Sequence, residues 1–405
     1  MQAVVPIEKL EPQRFMTGEY LYNDVKAYAA MGEHRTATAV DRRTSEWLAR
    51  QLEGFGFTAR LHDFNVRQFF VERSELVLDD ATRIPCFPLW PPRVGEARET
   101  LGGTAGGRAG GAIAVVRLPA AGAMNARSGH AELLLPLIER GAVGIIGVTP
   151  SITGQLIALN SDRGDEPWRV PIVLIGEAHE DAVRRARRAA IRIEGREDAR
   201  AGAFEVVGTI GDGSRHFVVS TPSSGWFRCA GERGPGIALW LGLARWSSHR
   251  ESAARFTFVA SSGHELHEQG MHYYLDHLAP RPDGVTAWLH VGAGIAAYNW
   301  ERDARGQLRR LDRPFPRNLL TNSKAWEPLL TRAFAGVPEV RLAVSDAPPG
   351  ELAQLVARGY RAFGMVALHP FHHAPGDTAE RTTGPEILEP VGEALVRALV
   401  GLEGV

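Results

Sequence analysis

From residue 203 onward the sequence alternates short apolar runs with amphipathic ones, and this alternation restricts the fold more than any other feature. Residues 204–210 and 216–220 read as strands, joined as a hairpin around Gly211-Asp212-Gly213. A strongly apolar helix follows at 236–246, then a strand at 256–260 and a helix at 267–278. Further strands are expected at 286–291, 340–344 and 361–368, with helices at 323–334, 352–359 and 386–402. This order predicts an α/β fold, a mostly parallel mixed sheet flanked by helices.

At 405 residues the chain is longer than one ordinary domain, and two or three are expected. With 46 basic and 47 acidic residues, it has no electrostatic pull toward nucleic acid or an anionic membrane. The basic run at 184–188 lacks interleaved aromatics and reads as a solvated helix face. Cys86 and Cys229 lie far apart, so no disulfide framework is expected. The first 23 residues carry Glu8, Lys9, Glu11 and Arg14 and no apolar core, which does not read as a secretory signal. No apolar run reaches the ~18 residues of a membrane helix. A cytoplasmic location is the expectation, with room for self-association into a homo-oligomer.

The N-terminal stretch 24–70 reads as helix, loop, helix and strand. Trp47, Leu48, Leu52 and Phe55 give the second helix one apolar face. His34, just before it, reads as a loop or capping residue. Residues 80–202 have the texture of a separate, smaller α/β unit without clustered chemistry. Its Gly-rich stretch 101–111 has no Gly-Lys-Ser/Thr ending and reads as a surface loop.

Chemistry concentrates where the C-terminal strands end. Ten of the fourteen histidines follow residue 210. Past 220 come Ser223, Ser224, Cys229 and Glu232; past 260 come His264 and Glu265; His290 lies in the strand 286–291; past 368 come His369, His372, His373 and Asp377. In an open parallel sheet these ends share one edge, where ligands bind. Imidazoles and carboxylates gathered there are what a zinc site uses. His264-Glu265-Leu266-His267-Glu268 misses the His-Glu-x-x-His zinc motif, because the second histidine falls one residue early. His267, His272 and His277 read as structural or surface residues. Trp226, Phe227, Tyr298 and Trp300 read as core aromatics before they read as a substrate pocket.

Taken together, these segments resemble the two-zinc aminopeptidases with a protease-associated insert, the family of glutamate carboxypeptidase and the transferrin receptor ectodomain. The resemblance covers most of the chain. It runs through His34-Arg35-Thr36-x-Thr38, Ala230-Gly-Glu-Arg-Gly-Pro-Gly236, the segment from Phe258-Val-Ala to Tyr273-Tyr274, and Phe371-His-His-Ala-Pro-Gly-Asp-Thr378. It implies a peptidase-like domain of residues 1–79 and 203–405, the latter carrying the site, around a protease-associated-like insert at 80–202. It also implies an altered site. The family's His-x-Asp reads Pro222-Ser223-Ser224, the metal-bridging Asp falls on Glu232, and the catalytic Glu falls on His264. The neighbouring Glu ligand is Glu265, an Asp ligand falls near His290, and the last His ligand is His373.

The reading that follows is an atypical metal-dependent hydrolase of an amide-type C–N bond in a small molecule or peptide. One divalent ion, zinc by donor type, would be held by Glu232, Glu265, His290 and His373. His264 would transfer the proton, and Ser223, Ser224 and His372 would contact substrate. Two alternatives stand beside it. One is a catalytically inactive binding or scaffold protein on the same fold. The other is a metal-free hydrolase using Ser223, Ser224 or Cys229 with His264 as base.

Overall fold

The computed structural model describes residues 15–102, 110–119, 129–161, 166, 168–250 and 254–404. The Gly-rich stretch 101–111 lies largely outside them. Two compact units are present. One comprises Met1–Val66, Gly202–His372 and Asp377–Val405; the other comprises Arg67–Ala201 and His373–Gly376.

In chain order, α1 (Gly18–Ala30), α2 (Ala39–Gly54) and β1 (Thr58–Leu78) come first. Next are β2 (Arg83–Ile84), β3 (Cys86–Pro88), β4 (Gly95–Gly102), β5 (Ile113–Arg117), α3 (His130–Glu139), β6 (Gly144–Thr149), β7 (Ile172–Gly176), α4 (Glu180–Arg185) and β8 (Arg188–Ile210). Then follow β9 (Arg215–Pro222), α5 (Gly234–Ser248), β10 (Ala254–Ser261), α6 (Gln269–His277), β11 (Ala287–Val291), β12 (Tyr298–Arg302) and β13 (Leu308–Pro314). The chain ends with β14 (Arg317–Thr321), α7 (Glu327–Ala333), β15 (Val340–Val344), α8 (Glu351–Ala357), β16 (Ala362–Val366), α9 (Ala379–Thr382) and α10 (Pro385–Glu403).

In the second unit, β5, β6 and β7 pair in parallel, β3 adds antiparallel to β7, and β4 pairs antiparallel with residues 188–193 of β8. β6 and β7 are buried along their whole length, as strands covered on both faces must be.

In the first unit the strand order is β15-β14-β16-β11-β9-β10-β8. β16, β11, β9 and β10 are mutually parallel; β8 and β14 run antiparallel to their neighbours β10 and β16. The expected hairpin of 204–210 with 216–220 does not form, because β10 lies between β8 and β9 and pairs with both. The Gly211-Asp212-Gly213 turn suits a hairpin locally, but β10, buried at every position except Arg255, offers a pairing partner to both sides. β12 and β13 form a separate two-stranded ribbon that the sequence reading passed over.

One face of this sheet is covered by α5, buried at every position from Gly234 to Ser247. A helix apolar all round needs a second cover beyond the sheet. The core cluster supplies it through Leu21, Val25 and Tyr28 of α1 and Leu388, Val391 and Leu395 of α10. The opposite face packs Met271 and Tyr274 of α6 and Leu352 and Leu355 of α8 against Val218, Val259 and Trp288. Helix α6 begins two residues later than expected, since His267 and Glu268 have φ of 59° and 61° and cannot start a right-handed helix. Gly270, in its first turn, approaches the end of β10 so closely that a Cβ would sit 2.0 Å from Ser262 O and 2.9 Å from a Glu205 oxygen. Gly270→Ala is expected to cost about 1–3 kcal/mol by overpacking, read as a lowered melting temperature; an unchanged melting temperature would contradict this packing. Among the described residues, no helix is long and apolar enough to cross a membrane.

Candidate active site at the strand ends

Because β16, β11, β9 and β10 are parallel neighbours, their carboxyl ends share one edge, and the polar residues expected there do gather. Past β10 the chain turns at Gly263 (φ 83°) into a single 3-10 turn, His264–Leu266. This turn sends His264 and Glu265 to different partners.

Glu265 is nearly fully buried. One oxygen accepts from the Thr36 backbone N–H (2.9 Å) and hydroxyl (2.7 Å), the other from the Ser224 hydroxyl (2.7 Å). Gly263 N–H donates in turn to Ser224 Oγ at 2.9 Å. The carboxylate therefore ties the loop before α2 to the ends of β9 and β10. Its neighbour His34 is structural as expected. Its ring stacks on Tyr28 (3.7 Å between centroids), and its nitrogens meet Thr44 Oγ1 and Tyr28 O. Burial lowers its pKa to about 3, so it stays neutral.

His264 keeps a ring 23% exposed while its Nδ1 lies 2.9 Å from Oε1 of Glu351, a carboxylate with no exposure at all. The second Glu351 oxygen lies 3.9 Å from His290 Nδ1. His290 itself faces Ser220, whose hydroxyl lies 3.0 Å from Nδ1 and accepts from Trp288 Nε1 at 2.8 Å. Burial lowers His264 to about 4, with Arg233 adding to the effect; it also lowers His290 to about 4, against the pull of Glu351. Burial raises Glu351, against the pull of His290 and Arg233.

Glu232 forms the other half of the site. The loop after β9 is tied down by Asp377, which accepts from the backbone N–H of Gly231 (2.6 Å) and Glu232 (2.9 Å). Glu232 Oε1 is 2.9 Å from Arg233 Nη2, both side chains being 1% exposed, and 4.0 Å from His372 Nε2. Arg233 Nε also donates to Ser224 O at 2.8 Å. Burial opposes the charge of Arg233, but Glu232 and, more weakly, Cys229, Tyr28 and Glu265 together outweigh it and raise its pKa, so the guanidinium stays charged.

Three of the positions that the sequence pattern gives to metal ligands hold other partners or no donor. Pro222 offers no donor atom, Glu265 is engaged by hydroxyls and a backbone N–H, and Arg233 already brings a positive charge to Glu232. Glu232 Oε1 and His372 Nε2, 4.0 Å apart, are an oxygen and a nitrogen donor of the types zinc takes, two of the three protein ligands a catalytic zinc needs. His373 groups with the second unit, where its Nδ1 lies 3.1 Å from Ala158 O.

The serine and cysteine candidates lack what a nucleophile needs. Ser223 Oγ is buried without a hydrogen-bond partner among the described residues, and Ser224 gives its proton to Glu265. Burial raises the Cys229 thiol well above its ordinary range, so thiolate is scarce. Trp226, Phe227 and Tyr298 are buried in the core, and Trp300 is half-buried against it.

Sequence reasoning missed Glu351 and Asp41. An acid in the first turn of a short helix reads as ordinary dipole compensation. Asp41, at the start of α2, accepts from the Ser262 hydroxyl (2.9 and 2.8 Å) and from Ala37 N–H (2.7 Å). Burial raises it to about 7 against these hydrogen bonds. As pH rises from about 4 to about 7 the unfolded chain releases this proton and the folded chain keeps it, so stability falls across that window. Asp41→Asn is expected to remove this component and narrow the stability difference between pH 5 and pH 8 in urea unfolding. An undiminished difference would mean that the carboxyl is already ionised in the fold.

No protein-family profile matches the chain, and no curated protein matches it in sequence. Solved structures do match its fold. The zinc aminopeptidase BSAP of Bacillus subtilis superposes with a TM-score of 0.72 at 16% identity, covering 95% of this chain and 94% of that one. A peptidase M28 precursor of Shewanella amazonensis SB2B gives 0.74 at 13% identity, over 98% and 95% of the two chains. An aminopeptidase of Aneurinibacillus sp. strain AM-1 gives 0.65 at 14% identity, over 95% and 94%. The chain thus has the fold of the zinc aminopeptidases.

Proposed function

We propose that this protein is a cytoplasmic hydrolase of an amide-type C–N bond in a small molecule or peptide, with His264 as its proton-transfer group. The observation that carries this reading is the His264–Glu351 contact: a part-exposed imidazole held by a fully buried carboxylate at the sheet edge where α/β enzymes bind ligands. One divalent ion, zinc by donor type, would be held by Glu232 and His372. Bound there it would polarise a carbonyl. Arg233 pairs with Glu232, and Asp377 holds the loop that presents it.

The test has two arms. Protein purified without a histidine tag is expected to carry about one zinc per chain, lost in Glu232→Ala and His372→Ala; His373→Ala tests the role the sequence pattern gives that residue. A panel of aminoacyl and N-acyl p-nitroanilides is expected to contain at least one substrate. No turnover of any member with zinc, manganese or cobalt supplied would overturn the hydrolase reading. A second reading, a binding protein on this fold, is favoured by the engagement of Glu265 with Thr36 and Ser224. It predicts that panel members bind without being cleaved.

A further inference from the structure

We propose that Glu351 is a positioning residue that fixes the tautomer and direction of the His264 ring. The proposal rests on the reading of His264 as the proton-transfer group. Glu351 opens α8 directly after Gly350, whose φ of 65° turns the chain there. Its carboxylate is wholly buried, and taking an ionised carboxylate out of water is costly unless a donor or cation meets it. Oε1 meets His264 Nδ1 at 2.9 Å, while Oε2 has no hydrogen-bond partner among the described residues.

The neighbouring imidazole does not compete for this role. His290 Nδ1 is 3.9 Å from Oε2, beyond hydrogen-bond reach, and 3.0 Å from Ser220 Oγ. Ser220 Oγ accepts the indole N–H of Trp288, and His290 Nδ1 is the acceptor within reach of the serine's own proton among the described residues. His290 Nδ1 is then an acceptor with nothing to offer Glu351. The donor left to the ionised carboxylate is His264 Nδ1–H. With the proton of neutral His264 on Nδ1, Nε2 carries the lone pair. A proton taken there from a water or substrate leaves an imidazolium directly against Glu351. The same division of labour serves a carboxylate–imidazole pair in other hydrolytic sites. Burial raises Glu351, and His290 and Arg233 pull the other way, toward the ionised form that this requires.

Two variants test it. Glu351→Gln keeps the size of the side chain, but its amide N–H can donate to Nδ1 and favour the opposite tautomer. It is expected to lower kcat by roughly 10²–10⁴-fold on the best anilide of the panel, with KM nearly unchanged. Glu351→Asp, which keeps the charge, is expected to recover part of that loss. Nitrogen NMR of the histidine rings, with His264 assigned by its disappearance in His264→Gln, supplies a readout independent of turnover. The wild type should show the Nδ1–H tautomer, and Glu351→Gln should shift His264 toward Nε2–H. An Nε2–H tautomer in the wild type, or the same tautomer in both proteins, would overturn the proposal even if no substrate is found. Unchanged kcat in Glu351→Gln would overturn it as well. If the tautomer shifts but no anilide is cleaved, the hydrolase reading has failed and the positioning contact stands.

Discussion

Arg233→Met is expected to cost about 3–5 kcal/mol of unfolding free energy, one of the largest single effects in the chain. The two partners are 1% exposed and 2.9 Å apart, so the substitution leaves the Glu232 carboxylate buried without its guanidinium. It also removes the donor to Ser224 O. The penalty is mostly the cost of a buried carboxylate that has lost its counter-charge, not the worth of the pair. That distinction has its own signature. Glu232→Gln combined with Arg233→Met removes both charges and should recover most of the loss, giving a large coupling in a double-mutant cycle. The measurement is urea unfolding with chelator present, so that a divalent ion cannot stand in for the missing cation. A single variant within about 1 kcal/mol of wild type would show that water reaches the pair and screens it.

The same pair shows how far the sequence could be read. The parallel core was legible because β9, β10, β11 and β16 are short, apolar and separated by helical spacing, so their shared edge follows from topology alone. Gathering of His264, Glu265, Glu232 and His290 near that edge followed with it. What each side chain does there was not legible. Glu265 and His264 are consecutive, yet one faces Thr36 and Ser224 and the other faces Glu351. That split depends on Gly263 in the left-handed region and on one 3-10 turn, which no apolar periodicity records. From the sequence alone Arg233 has no assigned role, and only its burial beside Glu232 shows one. The hairpin expected around Gly211 failed for a related reason: a good local turn signal lost to the larger burial gained by placing β10 between the two strands.

His264→Gln should reduce turnover by about 10²–10⁴-fold, the range expected when a positioned general base is removed. Glutamine suits the test because its amide N–H can still donate to Glu351 Oε1, 2.9 Å from the histidine nitrogen it replaces, so the buried carboxylate keeps a partner. Glutamine cannot take a proton near neutral pH, so the loss falls on the chemical step and KM should change little. Zinc content should be unchanged, since Glu232 and His372 are not touched. The pH profile gives a second readout. A base works unprotonated, and burial holds His264 at about 4 instead of 6.5. Activity of the wild type should therefore persist through pH 5–6 and fall only as pH drops toward 4, with an apparent value that belongs to the His264–Glu351 pair. That acid limb should be absent from the residual activity of His264→Gln. Retention of full activity by the glutamine variant would remove His264 from the chemistry and leave its contact with Glu351 as a purely structural bond.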